Sequence, residues 1–269
     1  MSRHEEGIRR LERLPRTRLA HLPTPLRGMP RLREALGPDT PELLLKDDEL
    51  TGFGLGGNKV RKLEFELAPP RLEGVTALVT TGGAQSNHCR VTAATAARLG
   101  LGCVLVVDGD PGEPPRGNAL LHRLLGAEIR TVRGRSERDD AMRRAAAEIA
   151  ADGGHARVVP LGASTPVGAL GYARAAVELA GQLDDRDRTV PAGPGGTTSV
   201  FLASSSAGTL GGLLAGLVLL GRDDIRLVGV SADVPRDELL RNAKELARGA
   251  LALVGVEASV PDHLVDADD

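Results

Sequence analysis

Apolar β-type runs alternate with helical patterns along almost the whole of this 269-residue chain, and that alternation is its strongest constraint on fold. The patterns predict strands at 43–46, 75–80, 103–108, 129–132, 158–160, 200–203 and 227–231. They predict helices at 59–67, 88–99, 119–125, 138–151, 167–183, 210–220 and 237–247. Gly100 follows Leu99 and Gly126 follows Leu125, where helix-terminating glycines belong. Strand and helix in turn imply an α/β protein with parallel sheets. Ligands in such folds sit at the carboxyl ends of the strands. Residues 181–199 read as a polar, Gly/Pro-rich loop, and the acidic tail DHLVDADD reads as lacking a finishing element.

Composition narrows the class of function. A net charge of -2 offers no basic surface for nucleic acid. One Tyr, three Phe and no Trp leave little for base stacking. They also leave Ala, Leu, Val and Gly to fill the core, which suits close helix-on-sheet packing. The first residues carry charges of both signs and no apolar signal segment. The longest apolar run, 210–220, is Gly-rich, too short to span a bilayer, and reads as a buried helix. Two cysteines, Cys89 and Cys103, fit a reducing cytoplasm rather than a disulfide framework.

Three stretches carry chemistry. In GGNKVRKLEF, residues 56–65, Gly56 and Gly57 permit close backbone approach, Asn58 is a plausible N-cap, and Lys59 opens a helix. A lysine at a helix N-terminus or near other cations has a lowered pKa, which a nucleophilic amine requires. Lys62 lies one turn on, on the same face; as an ordinary residue it would be a solvated charge or a partner for Glu66. Arg61 points elsewhere and reads as surface. In TGGAQSNHCR, residues 81–90, the turn Gln85-Ser86-Asn87-His88 follows a predicted strand and opens a helix. By itself it is a polar turn with an N-cap. His88 and Cys89 read as packing residues. In ASSSAGTLGGLLAGL, residues 203–217, small residues after a strand free backbone N–H groups to converge on an anion at a helix N-terminus.

An amine near a strand end, a Ser-Asn pair and an anion cradle, in this order, resemble the D-cysteine desulfhydrase and 1-aminocyclopropane-1-carboxylate (ACC) deaminase family. The segments 117–132 and 160–179 resemble that family as well. The resemblance implies pyridoxal 5′-phosphate (PLP) as cofactor. It implies an α/β fold of two unequal open-sheet domains, the tryptophan-synthase-β-like fold (fold type II). The large domain would comprise 1–65 and 165–269, and the small domain 66–164. Lys59 would be the Schiff-base lysine, with Lys62 by the cofactor phosphate. Asn87 would donate to the cofactor 3′-oxygen. Ser86 would serve the substrate carboxylate or proton transfer, and Gln85 the same carboxylate. Ser206, Gly208 and Thr209 would hold the phosphate, although Ser205 and Ala207 stand where the family shows glycine. Tyr172 is a candidate for the pocket edge, against an ordinary packing role. The implied partners are a small amino-acid substrate and a second copy of the chain, in the cytoplasm, with neither nucleic acid nor membrane.

The resemblance runs from about residue 22 to about residue 256. Family members continue for several tens of residues, supplying an active-site tyrosine, a residue facing the pyridine nitrogen and a late Thr-Gly stretch. No counterpart of these is found here, so the expectation is of a truncated large domain. The implied activity is elimination of sulfide from D-cysteine, giving pyruvate and ammonia. ACC deamination, cysteate desulfonation and an inactive PLP-binding pseudoenzyme stand as alternatives.

Overall fold

A computed structural model of the chain describes residues 3–109, 114–187, 196–231 and 233–268. Helix α1 (Arg3–Arg13) is followed by an antiparallel pair, β1 (Leu26–Gly28) and β2 (Leu44–Lys46), in the register Leu26↔Lys46. Between them α2 (Pro30–Leu36) buries no side chain. Strand β2 was expected, but its antiparallel partner was not. Helix α3 (Lys59–Glu66) begins at the predicted lysine.

A four-stranded parallel sheet follows, in the order β5-β4-β3-β6. Its strands are β3 (Ala77–Gly83), β4 (Gly102–Asp108), β5 (Glu128–Val132) and β6 (Ala156–Val158). Helices α4 (Asn87–Leu99), α5 (Gly117–Leu124) and α6 (Arg138–Ala151) connect them. Successive strand residues point to opposite faces. Leu78, Cys103, Leu105 and Val107 join α3 and α4 in one core cluster, while Val79, Val104 and Val106 join Ala141, Met142 and Ala145 of α6 in another. Both faces are therefore covered, as a parallel sheet requires. Strand order reverses beside β3: β4 and β5 lie on one side, β6 on the other. The crevice at the carboxyl ends of β3 and β6 is a topological switch point.

The chain then runs through α7 (Pro166–Asp187) into a three-stranded parallel sheet, β7 (Thr198–Ser204), β8 (Ile225–Ser231) and β9 (Val265–Asp268). Helices α8 (Gly208–Leu220) and α9 (Arg236–Leu253) connect these strands. The largest core cluster lies here, built from α7, α8, α9 and one face of the sheet. Helix α8 is buried nearly all round, as its apolar run predicts. The scarcity of aromatics shows in how α7 and α8 meet. A Cβ on Gly216 would lie 2.4 Å from Ala176 Cβ and 2.6 Å from the Ala173 carbonyl oxygen. The two backbones touch because no side chain stands between them.

Two sequence expectations are corrected. The acidic tail does carry a finishing element: β9 pairs in parallel with β8, with Leu227 opposite Val265 and Val265 and Ala267 buried. Its apolar residues alternate, but over too few positions to stand out from the acidic background. The loop expected at 181–199 is shorter, because α7 continues to Asp187 and β7 starts at Thr198, while residues 188–195 lie outside the described set. No described helix is long and apolar enough to cross a membrane.

Candidate active site

Three segments meet at the carboxyl ends of the strands. The loop after β7, Ser204 to Thr209, opens α8 and lines a cavity of about 230 Å³ together with Asn58, Lys59 and Lys62. Five of the residues singled out from sequence, Lys59, Lys62, Ser206, Gly208 and Thr209, thus share one cavity. The approach is close, since a Cβ on Gly208 would lie 2.6 Å from Lys62 Nζ. Ala207, buried at the N-cap of α8, has φ 57°, a left-handed conformation that costs an L-residue roughly 1–2 kcal/mol. The loop keeps its turn without the glycine. Ser205 hydrogen-bonds Asp233, holding that carboxyl below its usual range.

The two lysines differ from surface lysines in their surroundings. Lys62 is 1% exposed and donates to the Gly162 carbonyl at 3.1 Å and to Ser164 Oγ at 3.2 Å, so Glu66 is not its partner. Glu66 instead binds Arg157 and Thr165. Lys59 Nζ donates to Asn58 Oδ1 at 3.0 Å. Among the described residues neither ammonium has a carboxylate in ion-pair contact. Burial lowers the Lys59 amine from 10.5 to about 8. Burial, and then the charge of Lys59, lower Lys62 well below the ordinary range. Burial and these two charges also push His88 down to about 3, so its imidazole is neutral, with Nε2 against Thr80 Oγ1 at 2.8 Å. His88 and Cys89 are both buried packing residues, as expected.

Asn58 is more than the N-cap foreseen for it. It occupies that position without a side-chain cap. Its Nδ2 donates to Thr209 Oγ1 at 3.1 Å, and its Oδ1 accepts from Lys59 and, at 3.3 Å, from Asn87 Nδ2. One carboxamide thereby joins the lysine, the anion loop and the turn after β3. Asn87 lines an adjoining cavity of about 600 Å³ with Asn58, Gly57 and Arg90.

Ser86 is the N-cap of α4, its Oγ accepting from the Cys89 N–H at 3.2 Å. Its carbonyl accepts from His122 Nε2 at 3.2 Å. Gln85 is held by the start of α5: Nε2 donates to the Arg116 carbonyl and Oε1 accepts from the Asn118 N–H, each at 3.0 Å. Arg90 ties this corner to the loop before Lys59. It donates to the Gly54 and Gly56 carbonyls, both at 2.7 Å, and to Asn118 Oδ1 at 2.9 Å. His122, Asn118 and Arg90 carried no local signal in the sequence, since each acts across 28 or more residues.

Two side chains lie elsewhere than the sequence implied. Arg61 is not a surface residue: it is 1% exposed, with NH2 donating to Asp48 at 2.8 Å and to Glu178 at 2.9 Å. Tyr172 belongs to this same network, its hydroxyl donating to Asp48 Oδ2, and it lines none of the cavities described above.

Two buried amines with no carboxylate in contact among the described residues, facing a loop that opens a helix, form a receptacle for a small dianion. Burial favours the neutral form of both amines, as covalent attachment to a carbonyl requires of one of them, and a bound dianion favours the charged form of the other. A cofactor bearing both a phosphate and an aldehyde fits this donor set.

Residues 17–259 match the model of the family described as "Pyridoxal-phosphate dependent enzyme". The D-cysteine desulfhydrases of Salmonella paratyphi B and Salmonella newport are each 36% identical over 264 residues, spanning 96% of this chain and 77% of theirs. The crystal structure of an ACC deaminase homologue superposes with a TM-score of 0.82 and 32% identity, covering 99% of this chain and 77% of that one. The threonine deaminase of T.th. shares the fold with a TM-score of 0.60 at 23% identity, over 86% of this chain and 64% of its own.

Proposed function

The chain belongs to the family of pyridoxal-phosphate dependent enzymes, and we propose that within it this is a lyase of the D-cysteine desulfhydrase type. The observation that carries the reading is the pairing of Lys59 and Lys62, buried and with no carboxylate in contact among the described residues, with the Ser204 to Thr209 loop at the N-terminus of α8. The net reaction takes D-cysteine and water to pyruvate, hydrogen sulfide and ammonia.

In this reading Ser206, Gly208, Thr209 and Lys62 hold the phosphate, and Asn87 donates to the ring 3′-oxygen. Lys59 anchors the cofactor covalently. When bound, PLP supplies an electron sink that acidifies an amino acid's Cα–H and allows a Cβ substituent to leave. Lys59 Nζ is the atom best placed to carry that proton, because its amine takes up and releases protons near pH 8. The Ser86 hydroxyl, at the N-terminus of α4, keeps a hydrogen to donate to a substrate carboxylate or to pass a proton. Gln85, held at both ends of its amide by α5, steadies the turn that presents Ser86 and Asn87. The self-contained four-stranded open sheet supports a small domain at 66–164, with 1–65 and 165–269 forming the large one. Free, buried Cys89 and Cys103 support a cytoplasmic setting, and a homodimer is the proposed assembly.

Sulfide and pyruvate release from D-cysteine by the purified chain, abolished by Lys59→Ala, tests the reading. Turnover retained in that variant, or no turnover in the PLP-loaded wild type, would contradict it. ACC deamination is a second reading, favoured by the ACC deaminase homologue at TM-score 0.82. Release of 2-oxobutanoate from ACC, without pyruvate from D-cysteine, would select it.

A further inference from the structure

Ser164 lies in the turn after β6, where Gly162 and Ala163 have φ 66° and 48°. That turn flanks the switch-point crevice on the side opposite Asn87. It brings the Ser164 hydroxyl between two groups of the proposed phosphate site that belong to different elements. Lys62 Nζ, on α3, donates to Ser164 Oγ at 3.2 Å. Ser164 Oγ donates to Ser206 Oγ at 2.7 Å, against 3.5 Å to the alternative acceptor, the Gly162 carbonyl. The contact is tight, since a Cβ on Gly208 would lie 2.5 Å from Ser164 Oγ.

The chain of hydrogen bonds has a direction. A phosphate dianion in the loop favours the protonated form of Lys62, and an ammonium has no lone pair, so in the cofactor-bound state Lys62 can only donate. A hydroxyl has one hydrogen, so Ser164, accepting from Lys62 and bonding Ser206, passes its hydrogen to Ser206. Ser206 receives that hydrogen, and its own is free to point into the loop cavity. A loop serine would otherwise rotate freely between donating and accepting. Here the buried cation at one end sets the other end as a donor, the orientation a phosphate oxygen needs.

We propose that Ser164 is a positioning residue for the cofactor phosphate, acting through Ser206 by relaying the polarity of Lys62. This rests on the PLP reading above and adds to it a residue and a direction of hydrogen bonding.

The test compares PLP with pyridoxal, which lacks the phosphate, by equilibrium binding to the full chain monitored by absorbance. Ser164→Ala should weaken PLP about tenfold or more, the order of a charge-assisted hydrogen bond, and leave pyridoxal unchanged. The pyridoxal affinity also reports that the variant is folded. Ser206→Ala should show the same selective loss, and the double variant should be no weaker than Ser206→Ala alone. Ser164→Cys, of similar size but a weaker donor, should lose PLP affinity severalfold and serves if the alanine variant does not fold. Equal weakening of PLP and pyridoxal, additive losses, or unaltered PLP affinity in Ser164→Ala and Ser164→Cys would overturn the proposal and leave the PLP reading standing. A wild-type chain that binds no PLP would overturn both.

Discussion

Lys59 Nζ rests 3.0 Å from the side-chain oxygen of its own neighbour, Asn58, and among the described residues it has no carboxylate to hold its charge. A neutral amide oxygen stabilises an ammonium far less than a carboxylate does, so burial dominates and the amine falls to about 8. About one Lys59 in ten is then neutral at pH 7, against fewer than about one in a thousand for an ordinary lysine. Acylation of the cofactor-free protein at several pH values, read by peptide mapping, should find Lys59 half-reactive near pH 8. Half-reactivity near 10.5, with the bulk of the lysines, would remove the basis for its selection.

The Arg61 network gives an acid-stability prediction. Burial raises the Glu178 carboxyl, but the hydrogen bonds and charge of Arg61, and then of Lys46, outweigh it and hold the group at about 2, below the ordinary 4.5. A depressed carboxyl stabilises the fold at pH above its unfolded value. That stabilisation, on the order of 2–3 kcal/mol, should drain away as pH falls from about 4.5 to about 2. Urea melts of wild type and Glu178→Gln should converge across that window. Arg61→Ala should cost about 3–5 kcal/mol at pH 7, because it leaves buried carboxylates without their cation. A loss under about 1 kcal/mol would return Arg61 to the role of a surface charge.

Gly216→Ala should destabilise by roughly 1–3 kcal/mol, since the added methyl meets Ala176 Cβ at 2.4 Å and the Ala173 carbonyl at 2.6 Å, and α7 must move from α8. Helix propensity alone favours alanine by about 1 kcal/mol. A stabilised variant in chemical denaturation would mean that the two helices are not in backbone contact.

Asn87→Ala should raise the PLP dissociation constant about tenfold and shift the visible band of the bound cofactor, through loss of a donor to the ring oxygen. Unchanged affinity and an unchanged spectrum would take Asn87 out of the site.

Much of this was legible because short-range pattern determined it. The periodic runs located β3, β4 and β5 and met β6 only at its last residue, Val158, and the glycine, serine and asparagine turns marked where ligands approach. Strand β9 and helix α2 escaped for want of pattern, since β9 has four residues in an acidic tail and α2 buries nothing, whereas α1 does carry one, with Ile8 and the buried Leu11 three apart among charges. The polar core was illegible for a different reason. KVRKLEFE reads as a half-exposed helix, yet Val60 to Glu66 are all buried, because their charges find partners far along the chain. Arg61 meets Glu178 across 117 residues, and Glu64 caps the N–H groups of Leu19 and Ala20 across 45 and 44. Ser164 was missed likewise: nothing near it in sequence reveals that Lys62 and Ser206 converge on its hydroxyl.

The measurement that bears most directly on the central claim is borohydride reduction of the PLP-incubated chain, followed by peptide mapping. The account predicts a visible absorption band that reduction abolishes, with the cofactor then fixed to the peptide carrying Lys59. A chain that retains no PLP, or one in which the reduced cofactor lies on another lysine, would contradict it.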